Sequence, residues 1–187
     1  MVPLCWQAMT DRVVAHQGAA CWATLFTHSH YLPCLAVLLQ SMRACQTRYP
    51  LVVMVTETVD ARTRERLTRM GCVLRDVDAW RVPHADGSLA FERFQNVWTK
   101  LRAFELYEYE RVVMIDSDML MCHNMDELFD RPLERGMIAA ALACTCNPKQ
   151  IPTYPAEWTP RNCGYALRPH PPNDTRQLRA AALRLGT

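Results

Sequence analysis

Residues 111–130 read RVVMIDSDMLMCHNMDELFD. A short apolar run ends in two aspartates one residue apart. Apolar residues 112–115 suit a buried strand, and a buried strand end does not favour carboxylates. In extended backbone, residues two apart point the same way. Asp116 and Asp118 are therefore expected to face one ion, with Ser117 facing elsewhere. Two adjacent carboxylates repel unless a proton or cation intervenes. A hard divalent ion takes such oxygens and keeps positions open for phosphate. The pair reads as a clamp for a metal and a diphosphate, able to neutralise charge on a departing phosphate. Two solvated turn aspartates give the same short pattern, so the motif needs context.

Upstream, strand-like and helix-like stretches alternate. CWATLFT (21–27), LVVMVT (51–56) and CVLRDV (72–77) are strand-like. Between the first two, Leu32, Leu35, Ala36, Leu39 and Met42 fall at helical spacing. Ser29 is the expected N-cap there, with Pro33 in the first turn. Residues 59–71 predict a polar helix that starts near Asp60 and stops at Gly71. Residues 79–94 hold Pro83 and an Asp-Gly pair and predict a loop. Residues 96–109 predict a helix with Asn96 as cap and Val97, Leu101 and Phe104 on its inner face. Such alternation means βαβ units and a mostly parallel sheet with flanking helices. Ligands of such sheets bind beyond the carboxyl ends of the strands, where strand order reverses. Asp116 and Asp118 stand at one such end.

Further on, 124–130 predicts a short helix and 136–143 another buried run. Prolines 148, 152, 155, 160, 169, 171 and 172 then break any regular pattern. Expected divisions are a lead at 1–20, an α/β domain at 21–168 and a proline-rich, basic tail at 169–187. The 187 residues carry a net charge of +2 without basic runs, which argues against a nucleic-acid or membrane surface. No stretch suits a signal peptide or a span, so the expected location is cytoplasmic. The nine cysteines include no CxxC; Cys144 and Cys146 form only CxC, and reduced core thiols are expected.

The whole stretch 96–130 resembles the glycogenin and galactinol synthase group, the family 8 glycosyltransferases. Thr99-Lys100-Leu101, the tyrosines 107 and 109, Asp116-Ser117-Asp118 and Asn124-Met125-Asp126-Glu127-Leu128-Phe129 occur in that group's order. Residues 23–43 are similar to its uridine-binding opening, and 144–170 to a segment of its fungal members. The resemblance covers roughly 21–170. It implies a GT-A (Rossmann-like) fold and transfer of a hexosyl group, with retention, from a UDP-sugar such as UDP-glucose or UDP-galactose. The acceptor would be a hydroxyl of a carbohydrate, a polyol or a protein tyrosine. It implies Mn²⁺ held by Asp116 and Asp118, with Asp116 also near the donor sugar. Lys100 would meet the diphosphate and, with Asp116, serve catalysis. Thr24, Phe26, Thr27 and Tyr31 would line the uracil pocket, with Arg93 and Ser117 as further donor contacts. A homodimer is compatible with it.

The group's later Asn-Ser-Gly strand, Asp-Gln pair and His-x-x-Gly-x-x-Lys stretch have no match here. The C-terminal part of the fold is thus expected to be incomplete, and a weakly active or inactive UDP-sugar-binding fragment is the alternative reading. A DxD phosphatase of the haloacid dehalogenase type is a weaker one. That family wants Thr or Val where Leu120 stands, and its motif comes early in its fold.

Overall fold

The computed structural model describes residues 20–80, 97–134, 136–141 and 144–163. The chain divides into a unit ending at Arg131 and a second beginning at Pro132. The first unit is built on strands β1 (Ala20–Phe26), β2 (Leu51–Val55), β3 (Val73–Asp76) and β4 (Arg111–Met114). They form one sheet in the order β3-β2-β1-β4, and every pairing is parallel. The chain steps outward from β1 to β3, then returns to place β4 on the far side of β1. Strand order therefore reverses between β1 and β4.

The two central strands are the two most apolar ones. All five residues of β2 are buried, and in β1 only Leu25 is half-exposed. Such runs suit strands covered on both faces. Period-two alternation sorts β1 into two layers. Trp22 and Phe26 pack with helix α1 (Leu32–Ala44), through its Leu35, Leu38 and Met42. Cys21 and Ala23 pack on the other face with Val52, Met54 and Leu106. Burial pushes the Cys21 and Cys72 thiols up to about 12, as suits inert core positions.

Helix α2 (Ala61–Arg69) is polar and binds the sheet mainly through fully buried Leu67. Asp60 caps it by accepting from the Thr63 N–H at 2.8 Å. Gly71 comes next but one after the helix with φ +83°, a left-handed turn where a side chain would be strained. The expected Ser29 cap of α1 is not formed. A short 3₁₀ turn, Ser29–Tyr31, precedes α1, whose cap is Tyr31, with no side-chain bond. Ser29 instead donates to Asp60 at 2.5 Å, a partner distant in sequence.

The expected helix at 96–109 is a 3₁₀ helix, Val97–Glu105, and its inner face differs from the expectation. Val97, Leu101 and Phe104 are exposed. Thr99 is the buried residue of this helix, while Ala103, partly buried, and Leu106 just beyond it pack with Cys21 and Ala23 of the sheet. Residues 136–141 are half-buried or exposed and form no strand. A strand needs a partner edge, and the described residues of that second unit contain none. Arg93 and Asn96 lie outside the described residues. Among those described, no helix is long and apolar enough to cross a membrane.

Thr24 is fully buried in β1, and its hydroxyl has no hydrogen-bond partner. An unsatisfied buried hydroxyl costs about 1–3 kcal/mol, and valine has the same shape without it. Thr24→Val is expected to raise stability by about 1 kcal/mol in urea denaturation, with an unchanged denaturant slope.

Candidate functional site

The segments after β1 and β4 line the crevice at the strand-order reversal. β4 leaves the sheet at Met114, level with Ala23, and one further bond runs from the Ile115 N–H to the Ala23 carbonyl at 2.9 Å. Ile115 is buried, and the next five residues are not. The Met119 N–H donates to the Asp116 carbonyl at 3.1 Å, closing a turn. Asp116 and Asp118 thus sit on a turn, where extended backbone was expected. The strand stops because polar residues begin, and a tight turn satisfies their backbone locally. The chain is fixed again at Met121, whose N–H donates to Ser41 Oγ at 3.0 Å. Residues 116–120 are a short span between two anchored ends.

Lys100 and Asp116 meet at this turn, Nζ to Oδ1 at 2.5 Å. Both side chains are about two-fifths exposed, at 39% and 40%. Exposed pairs of this kind add at most about 1 kcal/mol to stability. The pair is better suited to hold charge at a ligand site than to hold the fold. Ser117 is half-exposed and Asp118 exposed. Two hard carboxylate donors on a solvent-facing turn are suitable ligands for a hard divalent ion.

On the β1 side, Thr27 shares its hydroxyl with His28 Nδ1 at 2.9 Å. Its carbonyl accepts from the Thr58 hydroxyl at 2.5 Å. Tyr31 is 39% exposed and stacks on His30 with ring centroids 4.1 Å apart. Thr24 and Phe26 are enclosed in the sheet and do not open onto the crevice. They shape the strand that presents Thr27. The geometry thus brings Lys100, Asp116, Ser117 and Asp118 together on one side, with Thr27 and Tyr31 at the end of the neighbouring strand.

Two groups of side-chain contacts that the sequence did not foretell hold this rim. In the first, the Asp60 carboxylate accepts from Ser29 and from the Thr63 hydroxyl at 2.7 Å, besides its cap bond. The Ser29 hydroxyl, then the Thr63 hydroxyl and N–H, hold the Asp60 carboxyl well below the usual carboxylate range. In the second, Asp126 is buried at 4% exposure. It accepts from Thr47 Oγ1 at 2.5 Å and from Arg48 N at 3.0 Å and Nε at 3.2 Å. Asn124 binds the carbonyls of Cys45 and Gln46 at 3.0 and 3.2 Å, and accepts from the Asp126 N–H at 2.8 Å. The resemblance suggests only a helix start here; the side chains in fact tie 124–126 to the loop before β2. Asp60 was legible as a cap and Ser29 was expected to cap α1; that the two pair with each other carried no signal in the sequence.

No family model matches the sequence. It is 30% identical to galactinol synthase 5 of Arabidopsis thaliana over 138 residues, 73% of this chain and 41% of that protein. Galactinol synthase 2 of Ajuga reptans is 34% identical over 109 residues, 58% of this chain and 37% of that protein. This is a family 8 glycosyltransferase-like chain. The solved apo structure of the WbbM bifunctional glycosyltransferase matches 67% of this chain and 23% of that one, with TM-score 0.51 and 22% identity. Together with the parallel sheet, it fixes the fold of this family 8-like chain as GT-A. The chain spans about 40% of the length of the galactinol synthases it matches.

Burial raises the Asp126 pKa, but the bonds from Thr47, Arg48 and Asn124 together outweigh it and leave it lowered. A carboxyl lowered on folding stabilises above its unfolded pKa of about 3.9, and that contribution fades as pH falls through the folded value. Asp126→Asn is expected to lose stability at neutral pH by about 2 kcal/mol. Its urea midpoint should then fall less steeply than the parent's below pH ~4.

Proposed function

We propose that this chain binds a UDP-hexose at the crevice between the ends of β1 and β4 and serves hexosyl transfer, with retention, to an acceptor hydroxyl. The observation that carries this reading is the meeting of Lys100 with Asp116, 16 residues apart, at the strand-order reversal. Open parallel sheets bind nucleotides at that point. The similarity to galactinol synthases adds the reaction class, and UDP-glucose and UDP-galactose are the donors to try first.

Asp116 and Asp118 would hold the metal, taken to be Mn²⁺. Bound there, it would neutralise the diphosphate as charge builds on departing UDP. Lys100 is a second cation at the same place. Asp116 holds its ammonium in the crevice before any donor arrives, so little reorganisation is needed when phosphate oxygens replace that partner. Thr27 and Tyr31 are the crevice-facing candidates for the uracil, an aromatic face and a hydroxyl for a planar, polar base. Ser117 and Arg93 are further candidates for donor contacts. Thr24 and Phe26 would act from beneath, through the strand. A carbohydrate, a polyol or a protein tyrosine would supply the acceptor hydroxyl.

Titration calorimetry with UDP tests this. Binding should tighten at least tenfold when Mn²⁺ replaces a chelator, a gain of about 1.4 kcal/mol or more. Asp118→Asn should abolish the gain. Lys100→Met should weaken UDP binding while leaving uridine binding and the melting temperature unchanged. Equal UDP binding with and without metal would remove the clamp from the reading. Hydrolysis of aryl phosphates without any response to UDP would replace it by a phosphatase.

A further inference from the structure

The second unit holds a feature that sugar transfer does not use. Cys144, Cys146 and Cys163 bring their sulfurs within 4.8 Å of one another. The Cys163 and Cys144 sulfurs are 3.9 Å apart, in contact but not bonded. Two thiolates on one tetrahedral ion with bonds of about 2.3 Å lie about 3.8 Å apart. A disulfide would join two of the three and leave the third stranded.

The loop that closes this triangle is organised without a core. Asn147 accepts from the Ile151 N–H at 2.8 Å, and the Gln150 N–H donates to the Asn147 carbonyl at 2.9 Å. Asn147 and Gln150 both take left-handed backbone, with φ of 43° and 48°. Turns continue through Tyr154, whose ring lies 4.9 Å from that of Trp158, to a 3₁₀ turn at Pro160–Asn162. The Asn162 amide ties back to the Glu157 carbonyl at 2.9 Å, and Cys163 comes next. Among the described residues after Arg131, only Cys163 is buried. Loop-rich segments with so little apolar burial rely on staples, either disulfides or metal ions.

We propose that Cys144, Cys146 and Cys163 bind one thiophilic d¹⁰ metal ion, Zn²⁺ or Cu⁺, which staples the 144–163 loop. Soft thiolate ligands select these ions. Binding displaces three thiol protons to solvent, so three anionic sulfurs face the cation. With Cu⁺ the three sulfurs complete a trigonal site. With Zn²⁺ a fourth position remains for a ligand other than these cysteines. Cys146 also forms part of the wall of an open hollow of about 590 Å³ beside Tyr154 and Trp158.

The test uses the full chain, reduced and kept anaerobic. One equivalent of Co²⁺ should give thiolate-to-cobalt charge-transfer bands that one equivalent of Zn²⁺ bleaches. Cys144→Ser, Cys146→Ser and Cys163→Ser should each lose the bands, while a Cys34→Ser, Cys122→Ser double variant keeps them. Should the triad variants fail to fold, alkylation of the parent chain decides. One equivalent of Zn²⁺, or of Cu⁺ in a parallel arm, should slow labelling of the accessible Cys144 and Cys146 at least tenfold and leave Cys34 and Cys122 unaffected. The arm that protects at the lower free-metal concentration names the ion. Unchanged labelling in both arms overturns the proposal. So does a disulfide within the triad of the isolated chain together with no metal uptake after reduction.

Discussion

The Asp126 carboxylate is the point on which the crevice depends. It is buried, accepts from Thr47 and Arg48, and so locks the chain after β4 against the loop before β2. Thr47 also accepts from Trp22 Nε1 at 2.8 Å, which carries the same network into β1. Phe129 then packs edge-on against Trp22, with centroids 5.0 Å apart. Buried charge is tolerated only where its bonds are complete, and here the backbone and side-chain donors around it complete them. With one end fixed at Ile115 and the other at Met121 and Asp126, the aspartate turn has little freedom. A ligand there would meet carboxylates already in position.

That turn is useful because of sheet topology. β1 has parallel neighbours on both sides, and the chain reaches them by paths of opposite direction. Loops after β1 and β4 therefore diverge and leave a gap at the reversal point. Lys100 stands on the 97–105 helix that precedes β4, and its ammonium reaches Asp116 just past the end of that strand.

The second unit solves a different problem. Prolines at 148, 152, 155 and 160 break up regular helix and sheet, and among the described residues there only Cys163 is buried. Turns closed by Asn147 and Asn162 carry the chain back on itself until Cys163 lies beside Cys144. The expectation of core thiols therefore fits Cys21 and Cys72 but not Cys144, which is exposed.

Much of the first unit was legible in the chain itself. Continuous apolar runs marked the central strands, the alternation with helices gave a parallel α/β sheet, and Asp60 marked a helix start. The aspartate pair at a strand end was legible too, because strand-end polarity is a local pattern. Periodicity reports which positions are buried in a given local conformation, and little more. It therefore misassigned the inner face of 97–105, where the conformation is 3₁₀. It was silent on Ser29 with Asp60, on Asp126 with Thr47 and on the three cysteines. Those partners are 31, 79 and up to 19 residues apart. Only the folded path of the chain brings them together, since hydrogen bonds and metal ligation depend on distances in space that local sequence spacing does not encode.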